Sequence, residues 1–227
     1  MGTNKKQTGK PCITLVPIFN HLKEEEMADI MKVIQTKSFK KGERIFQAGD
    51  TSDSLYIVNR GQIKEYRLSE SGKEQLVRLL NPGDFTGELA LFREGVHESY
   101  AEAMMNSGVC MITREDLQKF LMEYPTISLR ILSEFSERLA RSERQTTSLA
   151  TEKVETRIAM FLGECVNSDD PEMVIELPMS KKDLASYLGT TPETISRKLA
   201  ELEEQGYIQL ETNRKVRILD LDGLLLV

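Results

Sequence analysis

Three side chains near the C-terminus have the types and spacing that can read a nucleic-acid base. Ile195, Leu199 and Leu202 recur at i, i+4 and i+7 and mark one side of a helix as core, which leaves Glu193, Ser196 and Arg197 together on the other side. Arg can donate two hydrogen bonds to O6 and N7 of guanine, Glu can accept from N4 of cytosine, and Ser can pair with either kind of partner. The plainer alternative is a solvated Glu193–Arg197 ion pair one turn apart, worth roughly 0.2 to 0.5 kcal/mol.

The other reactive groups are sparse. Cys12, Cys110 and Cys165 are odd in number and contain no C-x-x-C pair, so neither a disulfide framework nor a self-contained zinc site can be read from their spacing. Cys165 shares an apolar stripe with Val154, Ile158, Phe161 and Leu162 and reads as a small buried hydrophobe. His21 and His97 lie far apart with no G-x-S-x-G elbow beside either, so no enzyme signature is found and no metal site is expected.

The base-reading triple needs a scaffold, and the flanking residues supply one. Leu184, Ala185 and Leu188 line a short helix, Gly189 turns the chain, and Thr191-Pro192 reads as an N-cap followed by proline at the first helical position. Helix, tight turn and helix would present the first turns of the second helix to the major groove. Tyr207–Leu210 and Val216–Leu219 form an expected hairpin, or wing, around Glu211–Lys215. Lys181, Lys182, Arg197, Lys198, Arg214, Lys215 and Arg217 place seven positive charges here. The interface expected from this pattern is Thr191, Glu193, Ser196, Arg197 and Lys198, with Lys181, Arg214 and Lys215 toward phosphates.

That charge must act locally. The chain has 227 residues with 30 basic and 36 acidic side chains, a net charge of −6, which does not favour bulk attraction to nucleic acid or anionic membranes. No apolar run approaches the roughly 18 to 20 residues that span a bilayer, and the basic start lacks the apolar stretch of a secretory signal, so a cytoplasmic protein without a membrane partner is expected.

Upstream, the periodicity changes twice. Residues 1–18 read as a flexible arm, and Leu22–Ile34 as a short amphipathic helix carrying Met27, Ile30, Met31 and Ile34. From Phe39 to about Ile112, strand-sized runs such as Leu55–Val58, Gln62–Leu68 and Gln75–Leu80 alternate with glycine-marked turns, the pattern of an all-β sandwich or roll. Beyond Asp116 the pattern is helical: Ser128, Leu132, Phe135, Leu139, Ser142, Thr146 and Leu149 form a heptad seam. Such a seam suits a homodimer helix; the alternative is a helix that packs only on its own roll. A second helix runs to Cys165 and stops before the cluster Asn167–Pro171, after which Met173–Leu177 reads as a short strand.

Three blocks resemble the CRP/FNR superfamily of bacterial transcription regulators: Lys41–Asp50 with Leu55–Val58 and Gly61, Pro82–Leu89, and Gly189–Arg197. The resemblance runs from about Leu22 to Leu224 and implies an α+β chain. Its expected parts are the arm (1–18), a cyclic-nucleotide-binding-type β-roll sensor (19–124), a long dimerisation helix (125–152) and a C-terminal winged helix-turn-helix (153–227). It further implies a homodimer that binds palindromic double-stranded DNA and touches RNA polymerase.

The Glu193, Ser196, Arg197 triple is similar to that of the FNR branch, which implies a site close to TTGAT-N4-ATCAA. The corresponding roll-pocket candidates are Gly87, Glu88, Leu89 and Ser99. Cyclic-AMP-binding members carry an Arg-Ser pair where this chain has Glu98-Ser99, and a carboxylate repels the anion that the Arg would hold, so cyclic AMP is disfavoured.

Cys110 matches the β-roll cysteine of the FNR branch and Cys12 falls in the arm that carries the others, but two thiols fall short of a Cys₄ iron–sulfur set. No cofactor is expected. The resemblance instead implies a Cys12/Cys110 dithiol that senses redox state; the alternative leaves Cys110 as strand core and Cys12 as an incidental thiol. A regulator whose roll binds a small anionic metabolite is the rival within the family. A thiol–disulfide enzyme and a subunit regulating a partner enzyme are rivals outside it.

Overall fold

The computed structural model describes residues 12–167 and 172–227. The polar start of the arm and the helix-stop residues Ser168–Pro171 lie outside the described residues, as does the side chain of Cys12. The chain divides into two compact units, one of Met1–Leu68 with Val77–Arg138, the other of Ser69–Leu76 with Leu139–Val227.

The first unit begins with a 3-10 turn at Cys12–Leu15 and the helix α1, Glu24–Val33. Eight strands follow: β1 (Gln35–Phe39), β2 (Arg44–Phe46), β3 (Ser54–Arg60), β4 (Ile63–Leu68), β5 (Glu74–Leu80), β6 (Phe85–Thr86), β7 (Tyr100–Ala103) and β8 (Ser107–Thr113). They form two four-stranded sheets, ordered β1-β8-β3-β6 and β2-β7-β4-β5. This is the expected roll.

The period-two alternation of β3 shows how the sheets close on each other. Leu55 and Ile57 enter one core with Phe85, Cys110 and Ile112, whereas Tyr56 and Val58 enter a second with Phe46, Ile63 and Leu80. Buried on both faces, β3 reads as a continuous apolar run. Cys110 in β8 lies opposite Thr36 of β1 and Ile57 of β3.

One boundary differs from expectation. Ile13, Val16 and Ile18, from the stretch read as a flexible arm, are fully buried with Phe19 in the same core as Leu55 and Cys110. Gly83 makes room for this stretch: at φ +101 its backbone is left-handed, and a Cβ there would meet the Leu15 carbonyl oxygen at 2.7 Å.

Thr113 caps α2 (Arg114–Glu123) by accepting from the Asp116 amide, and Pro125 opens α3, which runs 27 residues to Thr151. Ile127 and Ile131 bury against the roll and Phe135 half-buries there, while Leu132 and Leu139 stay outward at 60% and 61% exposure. The seam therefore splits between the helix's own roll and solvent.

In the second unit α4 (Val154–Cys165) buries Ile158, Ala159, Phe161 and Leu162. Then come β9 (Val174–Glu176), α5 (Lys181–Tyr187), α6 (Pro192–Glu204), β10 (Ile208–Leu210), β11 (Lys215–Ile218) and α7 (Leu221–Leu225). The expected hairpin β10–β11 gains β9 as a third strand on the far side of β11, so the Met173–Leu177 run is part of the wing sheet.

Candidate functional site

Local rules make the helix-turn-helix. The Ser180 hydroxyl accepts from the Asp183 amide to start α5, Leu184 and Ala185 bury, and Gly189 turns the chain at φ +64. The Thr191 hydroxyl then accepts from the Thr194 amide at 3.2 Å, with Pro192 at the first helical position of α6. Ile195, Leu199 and Leu202 are fully buried, which fixes the rotation of α6 and leaves Glu193, Ser196 and Arg197 exposed on its first two turns.

The ion pair that could have tied Glu193 to Arg197 is not formed. Arg197 instead lies 3.7 Å from Glu201, one turn further on, with 68% of its side chain exposed. A loose, exposed pair of this kind is held by less than about 1 kcal/mol, so the guanidinium can leave it for a base edge.

The cations around the triple divide into two groups. Lys198, expected at the DNA interface, is engaged within the protein: its ammonium bonds Glu155 of α4 at 3.1 Å and also Glu201, bracing α6 against α4. Arg214 donates to the Leu177 carbonyl at 2.9 Å and so holds the wing tip to the strand beside it. Arg217 pairs with Glu211 at 2.7 Å and with Glu172 at 3.4 Å. Lys181, Lys182 and Lys215 carry no ion pair among the described residues and stand at the starts of α5 and β11.

The β-roll interior brings the four other candidates together. Gly87 is left-handed at φ +81 and starts the 3-10 turn Glu88–Leu91; Gly87, Glu88, Leu89 and Ser99 line one cavity of about 70 Å³ with Phe46, Ser52, Glu65 and His97. The sequence reading missed the residues that dominate this interior. Arg78 of β5 donates to Glu65 at 2.8 Å, to Glu88 at 3.1 Å and to Thr86 at 3.2 Å. Arg138 of α3 donates to Glu88 at 3.0 Å and to the Phe85 carbonyl at 3.1 Å, and its guanidinium lies 3.9 Å from the Phe85 ring centroid.

Glu65 also accepts from Ser99 at 2.7 Å and from Thr86 at 3.0 Å. Burial opposes its charge, but Arg78 and these hydrogen bonds outweigh burial and hold the carboxyl below its ordinary range. A signal for Arg78 was present: it sits two residues from each of the buried Leu76 and Leu80 and so shares their face of β5, which directs it inward. Nothing comparable singles out Arg138 on a helix rich in arginine.

Glu98 bonds Arg67 at 3.1 Å and Arg93 at 3.2 Å at the cavity rim. His97 stacks on Phe46 with centroids 3.8 Å apart, its Nε2 buried without a hydrogen-bond partner. Burial holds this imidazole below its ordinary pKa despite Asp50, Glu65 and Asp53 nearby.

Cys110 is buried and disulfide-bonded. Cys165 is a half-buried free thiol whose pKa is pushed up to about 11 by burial and by Glu164, which keeps it protonated and unreactive. Cys12 opens the first 3-10 turn. Among the described residues no group of three or more His, Cys, Asp or Glu is placed to hold a metal ion, and no helix is long and apolar enough to cross a membrane.

Comparison with known proteins follows the same division. The cyclic nucleotide-binding domain family matches residues 36–124, and the Crp-like helix-turn-helix domain family matches residues 156–226. The chain is 33% identical over 213 residues to the probable transcriptional regulator flp of Lacticaseibacillus casei, covering 94% of this chain and 96% of that one. It is 30% identical over 204 residues to the fumarate and nitrate reduction regulatory protein of Escherichia coli, covering 85% of this chain and 81% of that one. Among solved structures, FixK2 from Bradyrhizobium japonicum superposes with a TM-score of 0.73 at 26% identity, covering 85% of this chain and 96% of that one.

Proposed function

The chain belongs to the CRP/FNR superfamily of DNA-binding transcription regulators, and we propose that it acts as a homodimer on a TTGAT-like palindrome under redox control. The observation that carries the DNA reading is the exposed Glu193, Ser196 and Arg197 on the first two turns of a capped helix whose opposite side is fully buried. Arg197 reads the guanine of each half-site, Glu193 accepts from a cytosine amino group, and Lys181, Lys182 and Lys215 neutralise phosphates. Two copies joined along α3 would cover Leu132 and Leu139, which supports the dimer, and a two-fold protein suits a palindrome. RNA polymerase is the expected protein partner and the cytoplasm the expected compartment.

The switch in this reading is a disulfide between Cys12 and Cys110. Supporting it, Cys110 is disulfide-bonded and Cys165 is free, and Cys110 belongs to the core that holds Ile13 and Val16 beside the 3-10 turn. Reduction would release the turn from β8, and a cytosolic disulfide of this kind is normally regulatory. The roll is read as working without a bound nucleotide or small anion. Glu65, Glu88 and Glu98 line its cavity against one lining cation, Arg67, and about 70 Å³ is far below the roughly 300 Å³ of an ordinary ligand site.

The test is binding to a TTGAT-N4-ATCAA duplex and to a scrambled duplex at fixed salt, with dithiothreitol or oxidant, beside Cys12→Ser. Preference for the palindrome with a redox shift that Cys12→Ser abolishes is the expected result. Equal binding to both duplexes overturns the base reading, and redox-indifferent binding overturns the switch.

A further inference from the structure

The second unit contains an open cavity of about 90 Å³ bordered by the C-terminal half of α3, by α4 and by the end of α5. Its lining includes Arg141, Arg144 and Arg157, Ser148, Tyr187 and a single carboxylate, Glu164, among apolar side chains. Half of the chain's arginines, Arg67, Arg78, Arg93, Arg114, Arg138, Arg197 and Arg217, lie in ion pairs. Arg141, Arg144 and Arg157 have no such partner among the described residues. Arg157 spends Nη1 on the Leu188 carbonyl at 2.6 Å, while its Nε is buried without an acceptor.

A buried guanidinium N–H without an acceptor is costly, and three like charges around one cavity repel. An oxyanion in the cavity would offset both costs, because a guanidinium N–H is a charge-assisted donor. At 3.6 residues per turn, Arg144 and Ser148 fall on the side of α3 away from Ser142 and Thr146 of the seam, while Leu149 of the seam borders the cavity.

We propose that this cavity is a phosphate site, accepting inorganic phosphate or the terminal phosphate of a larger molecule. Its volume suits one such group. The occupant would link α3 to α4 through Arg141, Arg144 and Arg157, so phosphate would stiffen the support of the helix-turn-helix. The inference does not depend on which DNA sequence the protein reads.

The experiment titrates inorganic phosphate into the full-length protein without DNA, at constant ionic strength held with chloride, and follows binding heat and melting temperature. Saturable binding that raises the melting temperature is expected. Arg157→Lys also loses the Leu188 contact and could misfold, so the deciding variant is Arg144→Gln, an exposed side chain without partners. It should melt like the parent without phosphate and bind phosphate at least about tenfold more weakly. No binding by the parent, or equal binding by Arg144→Gln, overturns the proposal. A DNA titration in varied salt then identifies the source of the phosphate. An unchanged salt slope in Arg144→Gln supports a free ligand, and a slope lower by about one assigns the site to a DNA phosphate.

Discussion

Arg138 and Glu88 meet inside the β-roll, guanidinium Nη1 to carboxylate Oε1, at 3.0 Å. Glu88 follows the left-handed Gly87 in the segment expected to face a ligand, and Arg138 belongs to the helix expected to dimerise. Two of the chain's own guanidiniums, Arg78 and Arg138, thus hold the carboxylate that a bound effector would have addressed. Removing one partner of a buried pair leaves the other charge poorly compensated. Arg138→Ala should therefore cost about 3 kcal/mol in the urea unfolding of the roll, the lower end of the usual range because Arg78 still holds Glu88. An unchanged urea midpoint would show that the pair contributes nothing.

Two lysines that look alike in the sequence should behave differently. Lys215 is exposed without an ion pair, so Lys215→Ala should weaken binding to all DNA sequences alike and lower the salt slope by about one. Lys198 is held by Glu155 and Glu201, so Lys198→Ala should lower the melting temperature and leave the salt slope as it was. The pair of variants, titrated across salt concentrations, separates the two roles.

Acidification should loosen the roll through His97. Its pKa in the folded protein lies below the ordinary value of about 6.5, so the native state binds fewer protons than the unfolded state between the two values. Stability is therefore fully present above about pH 6.5 and declines as the pH falls through the folded pKa. His97→Phe keeps the stack on Phe46 and removes the titration, so the difference between parent and variant melting curves should shrink above pH 7 and widen toward pH 5. A constant difference across this range would assign the pH response to other groups.

The N-terminal 3-10 turn should matter as much as a core strand. Ile13 is fully buried beside Val16 and Phe19, so Ile13→Ala should destabilise the roll by about 2 to 5 kcal/mol, read as a lower urea midpoint. A surface arm would lose almost nothing.

The helix-turn-helix, the wing hairpin and most of the roll strands were legible because each is written in local rules. Thr191-Pro192 caps a helix by its own hydroxyl and ring, Ile195, Leu199 and Leu202 set its rotation by spacing alone, and alternation along β3 divides its side chains between two cores. The burial of Ile13 and Val16 was not legible, since a four-residue 3-10 turn has no periodicity to read and its partners, Leu55 and Cys110, come from distant strands. Partner choice among charges was equally hidden. Arg197 could have met Glu193 or Glu201, Lys198 could have faced DNA or Glu155, and Arg138 gave no sign of reaching Glu88. Spacing determines which face of an element a side chain occupies, but long charged side chains reach several partners, and only the packing of one element on another decides which carboxylate is close enough to offset the loss of water.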